Sequence, residues 1–165
     1  IWLLGSSLFS AQLAAERGLP YAFASHFAPR LLHAAIDLYR RLFCPSAVLE
    51  RPYVTIGVPL VAAPTDAEAE YLASSTYQRV LGIVTGRRGL LPPPVENYLE
   101  GLQYQERAAI ADFLAVGVVG GPQTVRQGLA ALAESTRADE FMLVSDVFDP
   151  ELRLRSLRIA AEAAT

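Results

Sequence analysis

The sequence predicts an α/β protein in which parallel β-strands alternate with α-helices. Short apolar runs recur along the chain, and amphipathic segments with apolar residues at three- and four-residue spacing follow them. Glycine, proline or serine stands at most of the junctions. Continuous apolar runs are typical of parallel strands, because helices cover both faces of such a sheet. We therefore expect right-handed strand–helix–strand units.

Four strands are predicted from the apolar runs. They lie at residues 1–4, 21–25, 53–62 and 140–148. The third run, Tyr-Val-Thr-Ile-Gly-Val-Pro-Leu-Val-Ala, is rich in the β-branched residues that favour strands.

The first two helices are predicted from their end signals and their spacing. Gly18 follows the helix over 8–17, at a position where a helix C-terminus favours a residue that tolerates positive φ. Pro29 begins the second helix, whose apolar residues recur to Phe43, and Pro45 ends it.

The later helices carry similar signals. Thr65 and Glu68 form the pattern of a capping box and begin a helix to about residue 81. Residues 86–104, which contain three consecutive prolines, are predicted to be a long excursion with one short helix. Three more helices are predicted over 105–114, from Pro122 and from Asp149-Pro150.

Two architectures fit this order of elements, a doubly wound sheet and half of an eight-stranded (β/α)₈ barrel. A complete barrel needs about 250 residues. The chain has 165 residues, which is enough for half a barrel and one excursion. It does not begin with Met, and we expect an upstream part to be absent.

Composition excludes several classes of function. The chain is 52% hydrophobic with a formal charge of −3, and it has no basic cluster, so we expect no nucleic-acid partner. No apolar run approaches the ~20 residues that cross a bilayer, so we expect no membrane span.

The single cysteine, Cys44, excludes an internal disulfide and is expected to be a packed thiol. Two histidines without neighbouring acidic residues predict no metal site, and a cytoplasmic location is the simplest setting.

The corner between the first strand and the first helix is the most informative feature. Gly5-Ser6-Ser7 ends the apolar run, and Ser10 falls three residues after Ser7, so both hydroxyls can face one side of the first helical turn. Free amides at a helix N-terminus stabilise an anion, and Gly5 lets a ligand approach the backbone. The corner is therefore a candidate phosphate site, although serines that simply cap the helix explain the pattern too.

Two other positions are candidates for function. His26 follows the second strand, whose end lies at the catalytic face if the fold is a barrel; a polar residue that finishes a strand, or a core histidine, is the alternative. Gly120-Gly121-Pro122 opens another helix and could bind a second anion, but a tight turn alone explains the glycines.

Residues 1–27, from Ile1-Trp-Leu-Leu-Gly-Ser-Ser to Tyr-Ala-Phe-Ala-Ser-His-Phe, resemble the central motif of the bacterial-luciferase-like, flavin-dependent monooxygenases. Further blocks at 52–59, 63–69, 118–125 and 138–144 are similar to later strands and turns of that family in order and spacing. The resemblance implies the C-terminal half of a (β/α)₈ TIM barrel, roughly its fifth to eighth units, as a single domain or partial barrel over 1–165.

The resemblance also implies an activity. Reduced FMN and O₂ would oxidise a small organic substrate, and Gly5, Ser6, Ser7 and Ser10 would contact the phosphate of FMN. His26 would be the catalytic candidate, by donating to the flavin ring or by acting on a peroxyflavin intermediate. A flavin reductase and a second copy of the chain are the partners expected. Two alternatives stay open: hydride transfer with the deazaflavin F420, and a non-catalytic half-barrel that self-associates through exposed strand edges.

Overall fold

The computed structural model of the protein describes residues 1–164. Within that range the strands are β1 (Leu3–Gly5), β2 (Tyr21–Phe23), β3 (Val54–Ala62), β4 (Val118–Gly120) and β5 (Glu140–Val144). The α-helices are α1 (Leu8–Glu16), α2 (Leu32–Leu42), α3 (Asp66–Val84), α4 (Tyr104–Phe113), α5 (Pro122–Thr136) and α6 (Pro150–Ala163). Short 3-10 helices occupy Pro29–Leu31 and Tyr98–Gly101.

The chain divides into two compact units. Unit 1 comprises Ile1–Val58 and Leu132–Leu143, and unit 2 comprises Pro59–Ala131 and the segment from Val144 onward. Strand β3 begins in unit 1 and ends in unit 2.

Unit 1 is built on parallel strand pairs. Leu3 is opposite Tyr21 where β1 pairs with β2, and Tyr21 is opposite Val54 where β2 pairs with β3. Strand β5 also pairs with β3. The Asp139 carboxylate, just before β5, accepts from the Val54 amide at 2.8 Å, and the Asp139 amide donates to the Val54 carbonyl at 2.9 Å. The short ladders are thus extended by side-chain and loop hydrogen bonds.

The core of unit 1 joins helix α2 to the strands. Its largest fully buried side chains are Tyr21, Tyr39, Phe23, Leu32, Ile36, Ile56, Val54 and Val58. The Tyr39 hydroxyl donates to the Leu19 carbonyl at 2.9 Å and accepts from the Tyr53 amide at 3.2 Å. This buried hydroxyl therefore links helix α2 to the chain before β2 and before β3, so its burial leaves no unmet hydrogen bond.

Unit 2 contains the second half of β3, paired in parallel with β4 from Leu60–Val118 to Ala62–Gly120. Its core comprises Val61, Ala63, Ala69, Leu72, Ala73, Tyr77, Val80, Ile110 and Val147. The Thr65 hydroxyl caps α3 by accepting from the Glu68 amide at 3.2 Å, as predicted. The Glu68 carboxylate, however, pairs with Arg155 of α6. Glu68 therefore serves a tertiary ion pair, whereas the sequence predicted a capping box.

The four predicted strands are confirmed, although their ends differ. The last strand was expected to reach residue 148 but ends at Val144. The Val147 carbonyl instead accepts from Nε of Arg153, at 2.9 Å, in helix α6. The 86–104 excursion contains one short 3-10 helix, as predicted. Cys44 is exposed, so the expectation of a packed thiol was wrong.

The N-terminus of α5 is occupied by a carboxylate of the chain itself. The Gly121 amide donates to Oδ1 of Asp66 at 2.6 Å. The pKa of Asp66 lies below its ordinary value of 3.8, because it accepts from Gly121 and from the Thr124 side chain; burial opposes this shift. A Cβ on Gly120 would lie 2.5 Å from the Thr124 side chain, so close packing explains that glycine. A tight turn therefore explains Gly120 and Gly121. The Asp66 carboxylate occupies the helix N-terminus that the sequence offered as a possible site for a second anion.

Asp66→Asn tests this contact. A carboxyl whose folded-state pKa is depressed stabilises the fold above its unfolded pKa, and this stabilisation is lost as the pH falls through the folded value. We expect the variant to unfold at lower urea concentration than the unaltered chain at neutral pH, and the difference to shrink below pH 3.8. Urea midpoints across this range measure it.

Asp37→Asn, on the exposed side of α2, is the matched control and should leave the acid response unchanged. If Asp66→Asn kept the full acid sensitivity of the unaltered chain, the carboxylate would not hold the α5 N-terminus in its charged form.

Candidate functional site

Helix α1 begins with a reciprocal serine cap. Ser7 has extended backbone, with φ −135° and ψ 161°, and its hydroxyl accepts from the Ser10 amide at 3.2 Å. The Ser10 hydroxyl accepts from the Ser7 amide at 3.3 Å and donates to the Ser7 carbonyl at 2.7 Å. The two serines therefore face the same side of the first turn, as their spacing predicts.

Tyr21, from strand β2, supports this cap from the interior. Its hydroxyl lies 3.0 Å from the Ser10 hydroxyl and donates to the Ser7 carbonyl at 3.3 Å. Burial raises the pKa of Tyr21, and the hydrogen bond with Ser10 opposes part of that rise. The hydroxyl therefore stays protonated at neutral pH and fixes the corner to the sheet.

Ser10 and Ser7 differ in accessibility. Ser10 is only 9% exposed and fills the space beside Gly5, where a Cβ would lie 2.3 Å from the Ser10 side chain. Ser7 is exposed and Ser6 is half-buried. The amides of Leu8 and Phe9 begin the helix and have no partner within it by helix geometry. The first turn of α1 contains no acidic residue, so the positive end of its dipole faces no carboxylate of that turn.

The segment after β2 lies next to this corner. The Ala24 amide donates to the Gly5 carbonyl at 2.9 Å, and the Phe27 amide donates to the Ala24 carbonyl at 3.0 Å, so residues 24–27 form a turn. His26 stands in this turn, half-buried, with its ring centroid 4.2 Å from that of Phe27. The ends of two neighbouring parallel strands thus bring His26 and the serine corner to the same edge of unit 1.

An open cleft lies beside His26 in unit 1. It has a volume of about 500 Å³, and its lining residues are Trp2, Leu4, Ala22, Phe23, Ala24, His26, Thr55, Gly57, Glu140 and Met142. Three large apolar residues are exposed there: Leu4 by 70%, Met142 by 60% and Trp2 by 49%. The Thr55 hydroxyl donates to the Glu140 carboxylate at 3.1 Å. The cleft is therefore mainly apolar, with a few polar groups, as ligand clefts usually are.

Sequence reasoning found Gly5, Ser6, Ser7, Ser10 and His26 but missed the residues that hold them. Tyr21 looked like an ordinary strand residue, since nothing in a single sequence shows that its hydroxyl reaches Ser10. Gly57 lies in a β-branched run, and an isolated glycine in such a run signals a close approach. That signal could have identified Gly57 as a residue that another side chain approaches closely, which in the structure is His26.

Neither a metal-binding cluster nor a membrane-spanning helix occurs among the described residues. Among residues 1–164, no group of three or more His, Cys, Asp or Glu side chains could hold a metal ion. No helix within the same range combines the length and apolar character that crossing a membrane requires.

Parallel βα units with a helix N-terminus beside a cleft at the strand ends are typical of α/β barrel folds. The model of the luciferase-like monooxygenase family matches residues 1–140. The chain therefore belongs to the luciferase-like monooxygenases.

Two curated relatives are similar over almost the whole chain. The protein YvbT of Bacillus subtilis (strain 168) is 46% identical over 162 residues, which cover 98% of this chain and 48% of YvbT. A luciferase-like monooxygenase of Escherichia coli (strain K12) is 43% identical over the same share of each chain. The chain thus spans about half the length of these relatives.

Solved structures support the fold. The structure of apo-MsnO8 aligns with a TM-score of 0.80 and 34% identity, over 98% of this chain and 49% of its own. The oxygenating constituent of 3,6-diketocamphane monooxygenase from Pseudomonas putida, in complex with FMN, aligns with a TM-score of 0.61 and 23% identity over 98% and 48%. An F420-dependent secondary alcohol dehydrogenase aligns with a TM-score of 0.61 and 12% identity over 99% and 48%.

These alignments confirm the predicted fold class. The chain consists of parallel βα units and covers about half of luciferase-like TIM-barrel proteins. At their low identities, the last two structures support the fold alone.

The serine cap predicts a specific order of stabilities. Ser7→Ala removes the acceptor for the Ser10 amide and should lower the free energy of unfolding by about 1 kcal/mol. Ser7→Gly should lower it by only a few tenths of a kcal/mol, since glycine is itself favoured at an N-cap. Urea denaturation followed by circular dichroism measures both. An unchanged free energy of unfolding in Ser7→Ala would contradict the capping role of the Ser7 hydroxyl.

Proposed function

We propose that this chain is the phosphate-binding half of a flavin-dependent monooxygenase that uses reduced FMN and O₂ on a small organic molecule. The observation that carries the proposal is the exposed Ser7 hydroxyl at the N-terminus of α1, next to a mainly apolar cleft at the same strand edge. Membership of the luciferase-like monooxygenases supports it.

The corner fits a phosphate group. Ser7 offers a hydroxyl that can turn to an anion, and the Leu8 and Phe9 amides offer two N–H donors at the positive end of a helix. Because the first turn carries no acidic residue, a phosphate meets no repulsion from it. Ser6, half-buried between the strand and the cap, is the other candidate hydroxyl.

Ser10 acts differently from the direct contact that the family resemblance implied. Its hydroxyl is buried and engaged with Ser7 and Tyr21. We assign it to holding the corner in shape, in the same way that a second layer of hydrogen bonds orients the residues that touch a ligand. Gly5 serves the same end by leaving room for Ser10.

The cleft fits one face of a flavin ring. Its volume of about 500 Å³ and its apolar lining match the clefts that bind ring cofactors. When bound, reduced flavin supplies the electrons and activates O₂. The chain's own contribution is to bind the phosphate at Ser7, to keep water from the ring with Trp2, Leu4 and Met142, and to present the His26 imidazole as a hydrogen-bond donor.

We also propose a domain organisation, a substrate class and a partner for the chain. Since the chain spans about half the length of its relatives, we propose a partial barrel that the family's other half completes. A small organic substrate and a separate flavin reductase follow from the proposed chemistry. The deazaflavin F420 is the second candidate cofactor, because an F420-dependent dehydrogenase shares the fold.

Paired ligands test the phosphate role. FMN and riboflavin share the ring, and only FMN carries the phosphate, so FMN should bind the chain more tightly than riboflavin. Ser7→Gly removes the hydroxyl at little cost to the helix, because glycine is itself favoured at an N-cap. It should weaken FMN binding by roughly 10- to 100-fold, the scale of one charge-assisted hydrogen bond. Riboflavin binding should stay the same. Quenching of flavin fluorescence measures both.

Ser135→Gly is the control, because this exposed serine lies at the C-terminal end of helix α5. Equal losses for FMN and riboflavin with Ser7→Gly would reject the phosphate role. Tighter binding of F420 than of FMN, measured in parallel, would favour the hydride-transfer alternative.

Exposed apolar side chains favour a second candidate function, in which the chain self-associates and does not catalyse a reaction. Trp2, Leu4 and Met142 line the open cleft, and β1 stands at the end of the strand order. Edge strands and uncovered apolar surfaces promote association. We expect light scattering to give a mass above the 17.9 kDa of one chain, and Leu4→Glu to shift the chain toward monomer. A flavin-free monomer of the unaltered chain would contradict self-association.

A further inference from the structure

His26 faces a glycine in strand β3. An ideal Cβ on Gly57 would lie 2.3 Å from Nδ1 of His26, 3.0 Å from Cε1 and 3.4 Å from Cγ. Gly57 has no positive φ, so its backbone would accept any residue. The absence of a side chain is therefore needed for space, since the imidazole occupies the place that a Cβ would take.

Gly57 also fixes the main chain next to His26 through a hydrogen bond with Ser25. The Ser25 hydroxyl donates to the Gly57 carbonyl at 2.5 Å, and Ser25 is fully buried. The Ser25 amide donates to the Phe23 carbonyl at 2.9 Å. Gly57 thus accepts the hydrogen bond from Ser25 that fixes the turn. It also leaves the space that the His26 imidazole occupies.

The contact also orients the ring. The atoms nearest to the missing Cβ are Nδ1, Cε1 and Cγ, so the Nδ1 edge of the imidazole faces the strand. Nε2 lies farther from Gly57 than these atoms. The imidazole lines the same cleft as Thr55 and Met142, so its position helps to shape that cleft.

We propose that Ser25 and Gly57 are positioning residues for His26: Ser25 fixes the turn that carries it, and Gly57 leaves the space for its ring, so that the imidazole lines the cleft proposed for the flavin. This proposal rests on the proposed function, in which the flavin ring occupies the cleft. Ser25 is fully buried and does not line the cleft, so its effect on flavin binding passes through the position of the imidazole. Gly57 lines the cleft and acts by leaving the space that the imidazole occupies.

The chain's two histidines allow a direct test. His33, exposed on α2, is an internal reference in ¹⁵N spectra of histidine-labelled chain. Gly57→Ala should move the His26 imidazole signals and change their pH titration in the absence of flavin, and leave the His33 signals in place. Ser25→Ala should move the His26 signals as well. Gly89→Ala is the matched control, because a Cβ there would meet nothing within 4 Å.

A double-mutant cycle separates crowding from general loss of structure. Gly57→Ala should lower the urea midpoint in the unaltered chain but have little effect in a His26→Ala background, where the competing ring is gone. Equal losses in the two backgrounds would overturn the proposal, and so would unchanged His26 signals in Gly57→Ala.

Flavin binding gives the functional measurement. Gly57→Ala and His26→Ala should each weaken riboflavin binding by up to about tenfold, the scale of one neutral hydrogen bond, and together no more than either alone. Additive losses would overturn the proposal. If the unaltered chain bound no flavin, the proposed function would fail, and the spectra and the stability cycle would still decide whether Gly57 and Ser25 position His26.

Discussion

The hydrogen bonds among Ser7, Ser10 and Tyr21 determine how the candidate site is built. They satisfy the start of helix α1, fix its angle to the strands and leave the Ser7 side of the corner facing outward. The buried Tyr21 hydroxyl is the tertiary part of this network, because it comes from the neighbouring strand. A helix N-terminus held in this way keeps its amides in a fixed direction, which is what preorganised anion binding requires.

Two helix N-termini of the chain show how the same physics serves different ends. At α5 the Gly121 amide is satisfied by Asp66, so the positive end of that helix is neutralised from within the chain. At α1 the cap is made of neutral serines, and no acidic residue lies in the first turn. Both corners carry small residues before a helix. The Asp66 carboxylate distinguishes them, because it neutralises the positive end of the α5 dipole. No acidic residue of the first turn does so at α1.

Small residues in the strands have a related role beside the cleft. Gly5 leaves space for Ser10, and Gly57 leaves space for His26. In each case a strand residue has no side chain, and a polar residue from a neighbouring segment lies against the strand backbone instead. The candidate site is therefore made by neighbouring strands as much as by the loops that carry its polar groups.

Among the described residues, the sequence by itself determined four of the five strands, all but β4, together with the ends of most helices. It also identified the candidate residues at the first corner. These features depend on local chemistry: apolar runs, the positive φ of Gly18 and cap residues such as Thr65 and Asp149 act within a few positions of the chain. The tertiary structure decided which hydroxyls are available and which glycines matter. Ser10 became buried because Tyr21 reaches it from 11 positions away, and Glu68 left its predicted cap for Arg155, 87 positions away. Such contacts depend on which elements become neighbours, and local sequence patterns carry no record of that.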